Sequence, residues 1–418
     1  MTDLLFLSQR IPYPPNKGDK IRSWHILSHL ARRFRVHLAC FIDDPADWAQ
    51  TGKVRDICAG DTLFVPLNPA LAKLRSLRGL LSGDPLTRFY FDSPAVRNWV
   101  GERIAAVAPA SAFVFSSAMA PYLLGQAGLS PQRCIVDMVD IDSDKWRQYA
   151  GRTRPPWRQV YAREGRTLLA LERRLAAAYG ATLFVSAHEA ALFRELAPES
   201  AARIDHVNNG VDVAYFDPAL DLPSPFAAGD APIVFTGAMD YWPNIDAVQW
   251  FAHDILPQIV RQMPAARFVI VGSNPGEEVK RLAALPRVSV TGRVPDTRPY
   301  LAHAACAVVP LRIARGVQNK VLEAMAMARP VVATPHAAQG LEARDGRDLL
   351  VAADSAAFAA RILAVIAGHH ARLGTNGRDF VLAEHTWPRA LAALDTIVER
   401  VSGAGAPAPG RRPAPVGS

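Results

Sequence analysis

Three residues in one short stretch have the types and the spacing to hold a phosphorylated ligand. In RGVQNKVLEAMAMARPVVAT (315–334), Gly316 opens a helical pattern predicted over 317–328, Lys320 lies one turn in, and Glu323 follows three residues later. Arg329-Pro330 closes the helix, because a proline cannot continue it. Free backbone N–H groups at a helix start behind a glycine make an anion site. Lys320 adds a point charge, and a carboxylate on the same face can accept hydrogen bonds from two ribose hydroxyls. Phosphate at the helix start and ribose beside it describe a nucleoside diphosphate. A surface ion pair at i,i+3 is the other reading of the same spacing.

Other constellations carry less. His25 and His29 stand at i and i+4, but no third metal ligand accompanies them, and helix-surface histidines are the plainer reading. Ser186-Ala187-His188 reads as a helix N-cap, since no partner acid or G-x-S-x-G elbow goes with it. Asp137, Asp140, Asp142 and Asp144 imitate a cation cluster, yet they run past a strand end, where solvated acids are common. No metal or other cofactor is expected.

The elements that must position these residues alternate along the chain. Strands are predicted at 4–8, 35–42, 62–67, 112–116, 134–140, 181–186 and 204–208, then at 232–237, 267–272, 287–291, 306–310 and 330–334. Helical patterns occupy 20–33, 94–107, 158–179 and 187–195, then 244–262, 276–284, 297–304, 317–328, 354–367 and 387–401. Near-continuous Val/Ile/Leu strands alternating with helices imply parallel sheets covered on both faces. DLPSPFAAGDAP (221–232) breaks the pattern with Pro, Gly, Asp and Ser. The chain has 418 residues, too many for one ordinary core. The expectation is an α/β chain of two doubly wound, Rossmann-like parallel-sheet domains facing across a cleft. Their bounds are 1–205 and 232–385, with an interdomain segment at 206–231, a C-terminal helix at 386–401 and a disordered tail at 402–418. Ligands of open α/β sheets bind at the carboxyl ends of the strands, so functional residues should lie just after them.

Composition narrows the partners. No apolar run reaches the roughly 20 residues needed to span a bilayer. MTDLLFLSQRIPYPP has an acid before its apolar run and reads as a first strand, not a signal peptide. Cys40, Cys58, Cys134 and Cys306 are far apart, without metal-ligand spacing, which fits reduced thiols in a cytoplasmic protein. A net charge of +8 favours an anionic partner. No solid basic block marks a nucleic-acid tail. Instead LAKLRSLRGLLSGDPLTRFY (71–90) alternates Leu with Lys and Arg, as an interfacial helix does, and a second Arg-rich stretch runs from Arg152 to Arg166. Solvated helix faces are the alternative reading of both.

The motifs together resemble family 4 glycosyltransferases, which have the GT-B fold. The resemblance rests on G-x-x-x-K-V-L-E-A-M-A with PVVAT, on VNNGVDVAYFDP (207–218), on FTGAMDYWPNIDAV (235–248) and on VTGRVPD (290–296). PYPPNKGDKIRSWHILSHLA (12–31) and VDMVDIDSDKWRQYA (136–150) are similar to the branch found beside exosortase/PEP-CTERM exopolysaccharide clusters. The resemblance covers residues 3 to about 400.

It implies a retaining enzyme that moves a sugar from a nucleotide-diphosphate sugar to a glycan or polyprenyl-linked acceptor in exopolysaccharide biosynthesis. The expected location is the cytoplasm, at the inner face of the membrane. Glu323 matches the ribose-holding second glutamate of a Glu-x7-Glu signature. Lys320 and the Gly316, Val317, Gln318 and Asn319 stretch fall where donor phosphates and sugar hydroxyls lie. Gly292, Arg293 and Val294 match the turn that meets the base. Gly18 matches the glycine loop that approaches the donor phosphate, Gly237 and Met239 belong to the loop after the first C-domain strand, and Asp140 falls near a catalytic-face acid. Two departures stand out. Arg315 occupies the place of the first signature glutamate, and the loop after Gly237 lacks the usual Arg and Lys that clamp a diphosphate, reading Ala238-Met239-Asp240 and then Pro243-Asn244. Arg315, Lys320 or Arg293 must then neutralise the phosphates. A GT-B-fold nucleotide-sugar epimerase and a non-catalytic sugar-nucleotide-binding subunit stay open as alternatives.

Overall fold

The computed structural model describes residues 1–314 and 316–403, without the side chain of Arg152. The chain divides into two compact units. One comprises Met1–Phe184, Leu192–His206 and the chain from Leu391; the other comprises Val185–Ala191 and Val207–Ala390. The C-terminal helix, Trp387–Ser402, therefore belongs mostly to the N-terminal unit.

The N-terminal unit is built on seven strands: β1 (Thr2–Ser8), β2 (Phe34–Ile42), β3 (Thr62–Pro66), β4 (Ser111–Phe115), β5 (Cys134–Val139), β6 (Ala181–Phe184) and β7 (Ile204–His206). They pair in parallel in the order β3-β2-β1-β4-β5-β6-β7. β1 lies inside the sheet between β2 and β4, with Leu5 opposite His37 on one side and Ala112 on the other. β4 is buried at every position, as a strand must be when helices cover both sheet faces.

The C-terminal unit repeats the design with β8 (Ala231–Thr236), β9 (Ala266–Val271), β10 (Val288–Gly292), β11 (Cys306–Val309), β12 (Val331–Ala333) and β13 (Leu350–Val351). All pair in parallel, in the order β10-β9-β8-β11-β12-β13. Chain direction across the sheet reverses between β8 and β11. A crevice opens at such a switch point, outside the strand ends. The loops that begin at Gly237 and end at Gly316 flank it.

Several elements differ from their sequence expectation. The 317–328 helix is shorter, Asn319–Ala326, because Gly316 sits at φ 62° and Gln318 is extended. The pattern at 244–262 is two α-helices, Trp242–Trp250 and Leu256–Gln262, joined by a π-helical turn. The segment 71–90 is not one interfacial helix but three short ones, Pro69–Ser76, Gly79–Ser82 and Leu86–Tyr90. Gly83 in the left-handed region and Pro85 interrupt it. Helices Asp142–Arg152 and Leu373–Glu384, and the two-residue β13, were not predicted. All four cysteines are buried free thiols. Among the described residues no helix is long and apolar enough to cross a membrane. Residues 404–418, read from sequence as a disordered tail, lie outside the described residues.

Candidate functional site

The C-terminal unit gathers its chemistry at the ends of β8, β9 and β10 and at the start of the Asn319–Ala326 helix. Three glycines let the loops close on one another. Gly237 N–H donates to the Val271 carbonyl at 3.0 Å, and Gly272 N–H donates to the Gly292 carbonyl at 3.2 Å. A side chain on Gly272 would collide with the Gly237 carbonyl oxygen, 1.6 Å from an ideal Cβ. Gly292 takes a left-handed φ of 70°.

Lys320 reaches across this junction. Its Nζ donates to Asn244 Oδ1 at 2.6 Å and stands 4.3 Å from the centroid of the buried Phe235 ring on β8. Asn244 is itself buried, in the first turn of Trp242–Trp250, and its Nδ2 donates to the Ala238 carbonyl at 2.8 Å. One amide thus clamps the loop after Gly237 and holds the lysine. Gly237 is hemmed in by both: an added Cβ would lie 2.8 Å from Asn244 Nδ2 and 3.0 Å from Lys320 Nζ.

Glu323 lies one helical turn from Lys320, half-buried, and makes no hydrogen bond or ion pair among the described residues. Burial raises its carboxyl from the ordinary range to about 7, with Lys320 acting against the shift. Burial lowers the Lys320 ammonium to about 7, with Glu323 opposing. Both groups therefore titrate near neutrality, each held there by scarcity of water. Spacing alone also allowed a surface ion pair; among the described residues the two half-buried side chains form none, and Lys320 bonds Asn244 instead. Gln318 gives no side-chain cap to the first turn of the helix. Asn319 Oδ1 accepts from the buried Asn209 at 3.0 Å, which fixes the helix entry.

The remaining predicted residues fall around this core. Gly316 and Val317 are buried beside the helix start. Gln318 turns its amide onto the Gly316 carbonyl at 3.3 Å. Arg293 is exposed and Val294 half-buried on the turn after Gly292. Met239 has its side chain wholly inside the unit, and its N–H donates to the Ser273 carbonyl at 2.8 Å, so only its backbone faces the loop. Arg315 lies outside the described residues.

Sequence reasoning missed the Tyr215 cluster. Tyr215 carries the Arg298 guanidinium 3.8 Å from its ring centroid, and burial, then the nearby Asp296 carboxylate, raises its phenol above the ordinary value. Arg298 pairs with Asp296 at 2.7 Å and donates to the Tyr215 carbonyl at 3.1 Å. Tyr215 lies in VNNGVDVAYFDP (207–218), but nothing local in the sequence marks it. Asn244 was visible only as the place where a cationic clamp was missing.

In the N-terminal unit, Gly18 opens the exposed start of the Gly18–Leu30 helix, whose N-cap Lys17 gives no side-chain bond. Asp140 follows β5, where Val139 holds a left-handed φ of 66° that a β-branched residue rarely adopts. Ser116, just after the neighbouring β4, is left-handed too, at 83°. The four aspartates each meet a cation. Asp137 is fully buried against Arg22 at 2.8 Å, Asp140 and Asp142 share Lys145 at 2.9 and 3.0 Å, and Asp144 pairs with Arg147. His29 bonds Asp395 at 2.8 Å. In the other unit, Ser186 Oγ accepts from the Glu189 N–H at 3.2 Å, as an N-cap does.

Residues 231–368 match the family model described as "Glycosyl transferases group 1", so the C-terminal unit carries a glycosyl transferase domain. No curated protein matches the chain. Among solved structures it is similar to sucrose-phosphate synthase from Thermosynechococcus elongatus, with 19% identity, TM-score 0.69, and coverage of 97% of this chain and 100% of that one. It is similar also to Anabaena Alr3699/HepE in complex with UDP and glucose, with 16% identity, TM-score 0.66, and coverage of 96% and 100%. A third is WaaG, a glycosyltransferase involved in lipopolysaccharide biosynthesis, with 13% identity, TM-score 0.64, and coverage of 94% and 99%. The fold is GT-B: two α/β domains, each on a parallel sheet, here of seven and six strands.

Proposed function

We propose that this chain transfers a sugar from a nucleotide-diphosphate sugar to an acceptor hydroxyl with retention at the anomeric carbon. The observation that carries the reading is the half-buried Glu323, without a hydrogen bond or ion pair among the described residues, one turn from a lysine that Asn244 holds near a helix start that Gln318 does not cap. Glu323 is assigned to the ribose hydroxyls. The diphosphate is assigned to Lys320, to the amides from Gly316 to Asn319 and to Arg315. Gly292, Arg293 and Val294 are assigned to the base. Because the similar Anabaena structure holds UDP, uridine is the first base to test.

Retaining glycosidases use two carboxylates about 5 Å apart, one as nucleophile. Glu323 has no such partner in this assignment. The step we assign instead breaks the bond between the anomeric carbon and the phosphate oxygen while the acceptor oxygen bonds on the same face. The acceptor proton passes to the departing phosphate. The protein's part is then electrostatic stabilisation of the leaving diphosphate by helix amides and cations. Asp140, at the strained end of β5, is assigned to the acceptor side. A glycan or polyprenyl-linked acceptor, a role in exopolysaccharide assembly and work at the inner membrane face complete the proposal.

Incubating the purified protein with a panel of nucleotide sugars, after a thermal-shift screen picks the donor, tests it. A glycosylated acceptor with the donor's anomeric configuration is the expected product. Epimerised nucleotide sugar, or tight donor binding without turnover on any acceptor, would replace transfer by epimerisation or by a binding role.

A further inference from the structure

The Pro69–Ser76 helix is turned inside out. Ala72 is buried beneath it, while Leu71 and Leu74 point away from the protein. Leu77, Leu80 and Leu81 continue the exposed face through the next short helix, with Leu74 65% exposed and Leu81 94%. Soluble helices put such a stripe inward, and a contiguous exposed apolar patch marks a partner surface.

The patch is held in place, not draped loosely. Arg163, on the Trp157–Ala178 helix, donates to the Gly79 carbonyl. The buried Glu164 next to it accepts from Leu86 N at 2.7 Å, Thr87 N at 3.0 Å and Thr87 Oγ at 2.9 Å. That same helix begins at Trp157, which is 59% exposed and stacked on Tyr161. An exposed tryptophan on the helix that anchors the leucines suits the polar–apolar boundary of a bilayer.

Charge chooses the occupant. Residues 62–83 and 145–163 contain no Asp or Glu. The side chains of Lys73, Arg78, Arg154 and Arg158 are exposed and make no hydrogen bond or ion pair among the described residues. Leucines flanked by uncommitted cations without intervening acids complement an anionic lipid surface.

We propose that residues 69–82, with Trp157 on the helix that anchors them, form a docking surface for an anionic phospholipid bilayer. The leucines enter the headgroup–acyl boundary, and Lys73 and Arg78 lie among the phosphates. The proposal deepens the membrane-face part of the proposed function and rests on it, but its test needs no donor and touches no residue of the nucleotide site, so either can fail without the other.

The test is flotation of the full chain with vesicles of phosphatidylglycerol and phosphatidylcholine in equal parts, against phosphatidylcholine alone, at low and high salt. The expected result is binding to the anionic vesicles only, weakened by salt. Lys73→Gln and Arg78→Gln should each weaken it about fivefold. Leu77→Ser with Leu81→Ser, both on the surface and harmless to folding, should weaken it at least about tenfold. No flotation at low salt, or flotation unchanged in the leucine variant, overturns the proposal. Sedimentation velocity on the wild type decides the competing occupant: a dimer that Leu81→Ser converts to monomer would give the surface to a second copy of the chain.

Discussion

Lys320 Nζ is bonded to Asn244 Oδ1 at 2.6 Å, and that single contact joins the helix that would hold a donor to the loop that would cover it. The amide is a neutral partner. It fixes the position of the amine while leaving its charge free for a phosphate, which a carboxylate there would not do.

Replacing the amide by an acid tests that distinction. Asn244→Asp keeps the size and the contact, but pairs Lys320 with a permanent anion and sets it against the diphosphate. We expect donor binding to weaken by about 1.5–3 kcal/mol, the range for a hydrogen bond to a charged group, with the melting temperature unchanged or raised. Titration calorimetry with the nucleoside diphosphate reads it. Equal affinity in the variant would take Lys320 off the phosphates.

Gly237→Ala should damage both the site and the fold. Its methyl would enter the space between Asn244 Nδ2 and Lys320 Nζ, at 2.8 and 3.0 Å. Overpacking of this kind costs about 1–3 kcal/mol. Urea unfolding should register that loss, and donor binding should fall further than the loss of stability accounts for.

The neighbouring charges set a pH dependence. Below about pH 7 Glu323 takes up a proton and loses its power to accept two hydroxyl bonds. Above about pH 7 Lys320 gives up its proton and its attraction for phosphate. The kcat/KM profile for the donor should therefore be a narrow bell centred near neutrality, with its two limbs belonging to the pair. Glu323→Gln should flatten the acid limb and Lys320→Gln the alkaline one. A plateau reaching well above pH 8 in the wild type would contradict the assignment.

A separate group offers a stability test. Glu172 is buried and accepts from Ser143 Oγ at 2.5 Å and Ser143 N–H at 3.2 Å. Burial lifts its carboxyl from the ordinary range to about 8, although the Ser143 bonds act the other way. A folded-state value above the unfolded one favours the native state fully at low pH, and the contribution disappears as pH rises through about 8. Glu172→Gln removes that dependence, because its amide can serve Ser143 without ionising. Above pH 8 the variant should melt higher than wild type, on the order of 5 °C, with little difference in mild acid. Parallel melting curves across the range would mean that Glu172 is not held neutral.

Sequence reached the parts of this molecule whose signals are local. The Val/Ile/Leu runs marked the sheet strands apart from β13, whose two residues are too few to form a pattern. Gly316, Lys320 and Glu323 were legible because a glycine, a helix start and a spacing of three residues lie within one short stretch. Asn244 and Tyr215 were not, because their roles come from long-range packing. The first meets Lys320 across 76 residues and the second meets Arg298 across 83. The Asp142–Arg152 helix was hidden by its polar composition, and it gains its place from Ser143 bonding to the buried Glu172. The leucines of 71–81 were noticed as a pattern, but only the fold shows which way they face.

The assignment of Glu323 to a ribose beside a diphosphate is tested most directly by calorimetry with the nucleoside diphosphate that the thermal-shift screen selects and with its 2′,3′-dideoxy form, on wild type and on Glu323→Ala. The variant should lose about 1.5–3 kcal/mol with the natural ligand. Wild type and variant should bind the dideoxy ligand alike, because the hydroxyls that Glu323 accepts from are gone. Unchanged affinity for the natural ligand in the folded variant, or an equal loss for both ligands, would take Glu323 off the ribose.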